Sequence, residues 1–462
     1  MIKHTVMAAA ISAAFGFASV MPSSALAADD KELVQIRAEI RQIKDSYEAR
    51  LQALEAKLQQ ATEQITATAT TQNIQAAPAP ATQPAAAGGN TFNPAVSLIL
   101  GGTYTNLSQD PKQYRIQGFI PGGEVGPGAR SFNLGESELS LAANVDPNFS
   151  GKLTFALASD NTVSVEEAFA ATTGLSNGIN LKAGRFLSSI GYLNNQHAHA
   201  WDFVDAPLAY QAFFGGQYKT DGVQARWLAP TERFLELGLE LGNGAAFPGN
   251  DRNKNGFGST AIFAHLGDDI GDSASWRIGL SHLQSAAQDR TYDDINSLGQ
   301  PASYAFSGKS SIWIVDGIYK WAPNGNATHT NLKLQGEYFQ RKESGSLASD
   351  ASSGGYASNQ SGGYVQGIYQ FAPAWRVGLR YDRLSSGSPD IGLINNGMLA
   401  ADFSRLAPYN ARRNSVMLDF NPSEFSRIRL QFARDLSRPE AIDNQFFLQY
   451  IMSLGAHGAH SF

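Results

Sequence analysis

Two histidines two residues apart, His197 and His199, stand beside Trp201, Asp202 and Asp205 in the stretch GYLNNQHAHAWDFVDAPLAYQAFFGGQY, residues 191–218 of a 462-residue chain. In an extended segment, imidazoles at i and i+2 point to one face and can share a Zn2+, with Asp202 or Asp205 as a third ligand. The tail GAHGAHSF adds His457 and His460 to the candidate metal ligands. Histidines in loops also serve simply as hydrogen-bonding lining, so the stretch reads equally as the wall of something larger. A lipase- or protease-type site would need a serine, a histidine and an acid set together. Ser281 and His282 are adjacent, yet no glycine elbow accompanies them, so no catalytic residue is assigned and Zn2+ is the one cofactor under consideration.

What must position these residues follows from the rest of the chain. Lys+Arg number 35 against 41 Asp+Glu, which argues against a nucleic-acid partner. There is no cysteine, so neither disulfides nor thiolate metal sites are available. Lys3 and His4 precede an apolar run from Thr5 to Met21, and Ala25-Leu26-Ala27 supplies a small-residue cleavage pattern; residues 1–27 read as a secretory signal peptide. Residues 28–68 carry a heptad seam of Leu33, Ile36, Ile40, Ile43 and Tyr47, resumed after a stutter by Leu51, Leu54, Leu58, Ala61 and Ile65. Isoleucine at successive a and d positions favours three strands, so an α-helical coiled-coil stalk joining a homotrimer is expected. Residues 69–90 form an Ala/Pro-rich linker.

Residues 91–462 alternate with period two. In WRVGLRYDR, Trp375, Val377, Leu379 and Tyr381 share one face while Arg376, Arg380 and Asp382 point the other way. RIRLQF opposes Ile428, Leu430 and Phe432 to Arg427, Arg429 and Gln431, and FFLQYIMSL puts Phe446, Leu448, Tyr450, Met452 and Leu454 on one face. Turns with an aromatic before proline recur at WLAP (227–230), WAPN (321–324), FAPA (371–374) and FNPS (420–423). Polar connections are expected at 285–308, 342–361 and 385–410. Short turns at one end, long loops at the other and aromatics near the strand ends predict an all-β fold, a 16-stranded antiparallel transmembrane β-barrel. Both ends of the barrel then lie on the short-turn side, which puts the stalk in the periplasm of a bacterial cell and the barrel in the outer membrane, in contact with lipid and lipopolysaccharide.

On that alternation the lumen carries Arg226, Arg376, Arg380, Arg427 and Arg429 together with Glu136 and Glu138, and Asp202 and Asp205 on loop 188–217 would face the arginine arc. Trp201, Phe203, Val204, Ala206 and Leu208 are expected to anchor the loop, leaving the histidines and both aspartates on the aqueous side. The chain here resembles the trimeric porins, whose third loop folds into the lumen and narrows it. LKAGRFLSSIGYLN, residues 181–194, is similar to a segment of the phosphate-selective porin O and P family. HAHAWDF and GAHGAHSF together resemble a group of uncharacterised outer-membrane proteins associated with zinc uptake. The resemblance implies a porin for small hydrophilic or ionic solutes, with a divalent-metal channel using the histidines as the alternative. The lumen acids depart from the positive ladder that phosphate selectivity would require.

Overall fold

A computed structural model describes residues 94–455, except 124, 251, 252, 350, 351 and 440. The predicted signal peptide, stalk and linker, and His457 and His460, lie outside the described residues. Sixteen strands form the wall. They are β1 (Ala95–Leu107), β2 (Ser131–Leu134 continued by Ser137–Asn144), β3 (Phe149–Leu157), β4 (Val163–Thr172), β5 (Ile179–Leu187) and β6 (Lys219–Leu228). There follow β7 (Phe234–Gly242), β8 (Ser259–Ile270), β9 (Ala274–Ile295), β10 (Pro301–Trp321) and β11 (Asn331–Ala348). The last are β12 (Ser353–Ala372), β13 (Trp375–Ser385), β14 (Arg412–Ser423), β15 (Ser426–Arg438) and β16 (Ala441–Gly455). Neighbours pair antiparallel, and β16 pairs with β1 from Ser97↔Gly455 to Leu107↔Gln445. Closure leaves no open edge, which satisfies every ladder hydrogen bond inside the wall.

The outward face is apolar where the sequence places it: Leu379 is 64% exposed, and Trp375, Tyr381, Phe446, Leu448 and Tyr450 are exposed beside it. Trp375 and Phe420 meet at 4.7 Å at the short-turn end, as an interfacial aromatic pair would.

Two expected loops are corrected. Residues 285–308 and 342–361 are largely strand, because β9 to β12 run 22, 21, 18 and 20 residues, about twice what crossing a bilayer requires. In these extensions the polarity reverses. Lys309, Lys342 and Ser344 face outward and are exposed, while Tyr292, Tyr304, Phe306, Leu347 and Tyr356 face inward and are buried. A strand wall standing in water hides its apolar face inside, so a search for apolar residues outside misses it. The connection 386–411 is a true loop, and its Leu393, Phe403 and Leu406 join that inward cluster.

The connection between β5 and β6 enters the barrel. Its neck is clasped by Asn194, whose Nδ2 donates to the carbonyls of Ser188 and Tyr218 at 2.8 Å each and whose Oδ1 accepts from Tyr218 N at 2.8 Å. Beyond it comes helix α1 (Leu208–Phe214), started after Pro207 and ended by Gly215 at φ 68°, a left-handed cap that suits glycine. Every residue of α1 is buried. Tyr210, Phe213 and Phe214 pack against Phe339 at ring separations of 5.3, 5.6 and 5.8 Å, in a core that includes Leu283, Ile312, Ile314, Tyr364 and Leu384 of the wall. Part of the lumen is therefore solid protein.

Candidate functional site in the lumen

Docking of the loop uses the charges that the sequence assigns to the pore. Asp202 Oδ2 lies 2.6 Å from Lys333 Nζ, and its Oδ1 lies 3.5 Å from Arg376. Asp205 Oδ1 accepts from Arg380 Nη2 at 2.9 Å and from Gln431 Nε2 at 2.9 Å. Its Oδ2 is 2.6 Å from Arg413 Nη1, close in distance though not aligned as a hydrogen bond. Burial pushes both aspartates up, and the cations beside them outweigh it, so both stay below the usual carboxylate range. Arg429 Nη1 donates to the carbonyl of Trp201 at 3.0 Å, and Arg427 donates to the carbonyl of His199.

The expected split between anchor and aqueous face is thus half right. Trp201, Phe203, Ala206 and Leu208 are buried, with the Trp201 indole donating to the Gln196 carbonyl at 2.9 Å. Val204 is half-buried, and its backbone N–H donates to Gln431 Oε1 at 2.7 Å. Asp202 and Asp205, however, lie against the wall, and His199 is 9% exposed. The reason is the arginine arc itself, which is neutralised by the acids it attracts. Arg380 and Arg429 side chains are each 1% exposed, whereas Arg226 at 36% and Arg376 at 21% still meet water.

The histidines meet a separate acidic group on β2 and β4. His197 Nδ1 lies 2.8 Å from Glu166 Oε2 and 3.0 Å from Glu138 Oε2, while its Nε2 lies 3.0 Å from Glu167 Oε2. His199 Nδ1 lies 2.8 Å from Glu138 Oε1, and the two rings stack at 5.6 Å. Glu136 belongs to the same group, within 4.8 Å of Glu138 and Glu166. Burial alone would discharge His197, but its hydrogen bonds to Glu138, Glu166 and Glu167 outweigh this and hold it up at about 12.

Sequence reading missed Glu166, Glu167 and Arg413. The first two arise from a β-bulge: Thr154 pairs with Glu167 and Phe155 with Val165, so Glu166 is the extra residue. A bulge defeats strict alternation and turns two successive carboxylates toward one side. The double acid in a poorly alternating strand was the available signal. Arg413 sits just past the 386–411 connection, and only the fold brings it to Asp205.

The wall defines the class: an outer-membrane-type barrel, closed by sixteen strands and occupied by an inward-folded loop. The chain belongs to the same family as an uncharacterised protein of Aquifex aeolicus (strain VF5), 30% identical over 400 residues that cover 80% of each chain. No family model matches it. Among solved structures it is similar to OmpT, an outer membrane protein of Vibrio cholerae. The loop L8 deletion mutant of that protein aligns at TM-score 0.51 and 10% identity, covering 79% of this chain and all of the other. The in-vitro folded form aligns at 0.50 and 9%, covering 80% and 99%. The likeness is one of fold.

Proposed function

We propose that the protein is a porin-like channel of the bacterial outer membrane that lets small hydrophilic solutes diffuse through a lumen narrowed by loop 188–218, and that it favours anionic ones. One observation supports this most directly. In five ion pairs near the short-turn end, the base is the more exposed partner and the acid the more buried. Side-chain exposures are 30% against 7% for Lys152–Glu167, 36% against 16% for Arg226–Glu236, 22% against 0% for Arg277–Asp316, 17% against 5% for Lys333–Asp202 and 21% against 0% for Arg376–Asp419. Each pair is neutral as a whole, yet its positive end is presented to the solute, and in a low-dielectric-walled passage such oriented charge sets ion preference. Phosphate specificity is not part of the proposal, since Glu236 retains exposure within the same vestibule. Nor is zinc uptake, because the histidines are gripped by buried carboxylates, and conduction requires binding weak enough to let go.

Lys182 and Arg226 test the reading best. Both are half-buried inward residues of β5 and β6, and neither is the close partner of a fully buried acid. Replacing both by Gln should lower the anion-to-cation permeability ratio at least about two-fold, read as a reversal potential in asymmetric salt across a planar bilayer. An unmoved reversal potential would show that the solute path does not pass these side chains.

The trimer is likewise a proposal, resting on the Ile-rich seam of residues 33–65. Deleting 28–68 should weaken the trimer in detergent while the barrel stays folded, because closure satisfies the wall by itself. A deletion protein whose trimer resists heat as well as the full chain counts against the stalk.

A further inference from the structure

We propose that the pocket between the lumen loop and strands β2 and β4 binds one divalent transition-metal cation of the zinc type, through Nδ1 of His197, Nδ1 of His199 and a carboxylate oxygen of Glu138, with Glu166 as the fourth ligand. The inference needs the loop to lie in the lumen and is independent of which solute passes.

Convergence of donor atoms is the first ground. Glu138, His197 and His199 each offer one ligand atom within 4.8 Å of the others. Both imidazoles turn the same nitrogen, Nδ1, toward Glu138, at 3.0 and 2.8 Å, and Glu166 reaches His197 Nδ1 at 2.8 Å. A tetrahedral ion with bonds of about 2.0–2.1 Å sets its ligand atoms about 3.3 Å apart, and the three histidine–carboxylate separations lie within about half an ångström of that.

The second ground lies behind the ligands. His197 presents its other nitrogen to Glu167 Oε2 and Lys152 Nζ, each at 3.0 Å, and Glu167 is held in turn by Lys152 Nζ at 2.7 Å. A histidine with one nitrogen at a cluster of ligands and the other fixed by a carboxylate is the arrangement that orients metal-binding imidazoles. Glu167 also accepts from the backbone N–H of Leu187 at 3.4 Å.

The third ground is charge. Glu138, Glu166 and Glu167 are 2%, 6% and 5% exposed, with Glu136 beside them and Lys152 paired to Glu167. Buried carboxylates in excess require a positive charge in their midst. A divalent cation held by these ligands supplies it. Two imidazoles with carboxylates suit Zn2+ or Co2+, whereas Ca2+ and Mg2+ take oxygen-only sets.

The test uses the full chain refolded in detergent, with His457 and His460 changed to Ala to remove the tail, cleared with chelator and titrated with Zn2+ or Co2+ at neutral pH. One equivalent should bind per chain, and Co2+ should give the visible bands of a four-coordinate site, uncompeted by excess Ca2+ or Mg2+. His199→Ala, and separately Glu138→Gln, should each weaken Zn2+ at least about ten-fold. Heat-modifiable migration of each variant checks that its barrel is closed. Zinc-edge anomalous scattering from crystals of the unaltered chain, placing the ion on the loop histidines, gives a reading that no folding defect in a variant can mimic. Binding that is unchanged in both variants, or no retained equivalent after dialysis of the tail variant, would overturn the site. Failure here with anion preference intact removes the metal and leaves the channel reading standing, and the converse result does the reverse.

Discussion

Asp205→Ala should unlatch the loop from the lumen wall. The substitution removes one of the two carboxylates that Arg380 and Arg413 share, and these side chains, 1% and 2% exposed, are left with Asp382 alone between them. Breaking a buried pair by removing one partner costs about 3–5 kcal/mol, enough to shift a docked loop toward released states by two orders of magnitude or more in equilibrium. The barrel closes through its own ladder, so the cost falls on the loop. Single-channel recordings should show larger and noisier steps than the parent, and loop amides should exchange faster. Parent-like conductance in Asp205→Ala would mean that α1 and its aromatic packing hold the loop alone. The pH dependence has a definite sign. Because Asp202 and Asp205 are depressed, their contribution is complete above the ordinary aspartate value of about 3.9 and is lost as pH falls through the lower folded values. Docking should therefore survive mild acid and fail only below about pH 4.

Glu337→Ala is expected to have a comparable effect at the other end of the loop. One buried carboxylate accepts from the backbone N–H groups of Tyr192 and Leu193 at 3.2 and 3.0 Å, from Tyr210 Oη at 2.9 Å and from Tyr364 Oη at 2.7 Å. Truncation strands four donors in a packed core, each worth about 1–3 kcal/mol when left unsatisfied. The site has little slack: a Cβ on Gly191, which sits at φ +68°, would lie 2.3 Å from Glu337 Oε2. Hydrogen exchange should rise at residues 191–194 and within α1 while the β10–β12 ladder stays protected. Glu337→Gln should lose less, because its remaining oxygen still accepts. Equal protection of 191–194 in Glu337→Ala and parent would show that water replaces the carboxylate without cost.

The wall was legible because period-two alternation is a local property: the residues of WRVGLRYDR and RIRLQF declare their faces without knowledge of their neighbours. Strand number and closure followed from counting. The loop was legible as an insertion, and Trp201 and Phe203 as its anchors, since large apolar residues between polar ones have few other uses. Which charges meet was not legible. Asp205 and Arg413 are 208 positions apart and come together through the register of β13 and β14, which no local pattern encodes. The arginines of β13 and β15 were expected to face solute, and Arg380 and Arg429 were instead drawn to Asp205, Asp382 and Asp419. Glu166 and Glu167 were hidden by the bulge that makes them useful.

The reversal of polarity along β9 to β12 draws a waterline on the barrel. Apart from Ile295 at the far tip of β9, its last large apolar outward residues are Trp313 and Tyr338, with His282 packed on Trp313 at 4.5 Å. Immediately above them stand Gln284, Ser311, Gln340 and, one pleat higher, Lys309 and Lys342. Sinking the barrel until Lys309 and Lys342 reached hydrocarbon would cost up to about 2–4 kcal/mol for each cation near the midplane and less at the surface. Raising it would lift the aromatics out of the interface they favour. On the opposite flank β3 to β7 have only nine or ten residues, barely a bilayer's worth. One side of the molecule thus fixes how deep it floats, and the other leaves no spare length for it to tilt.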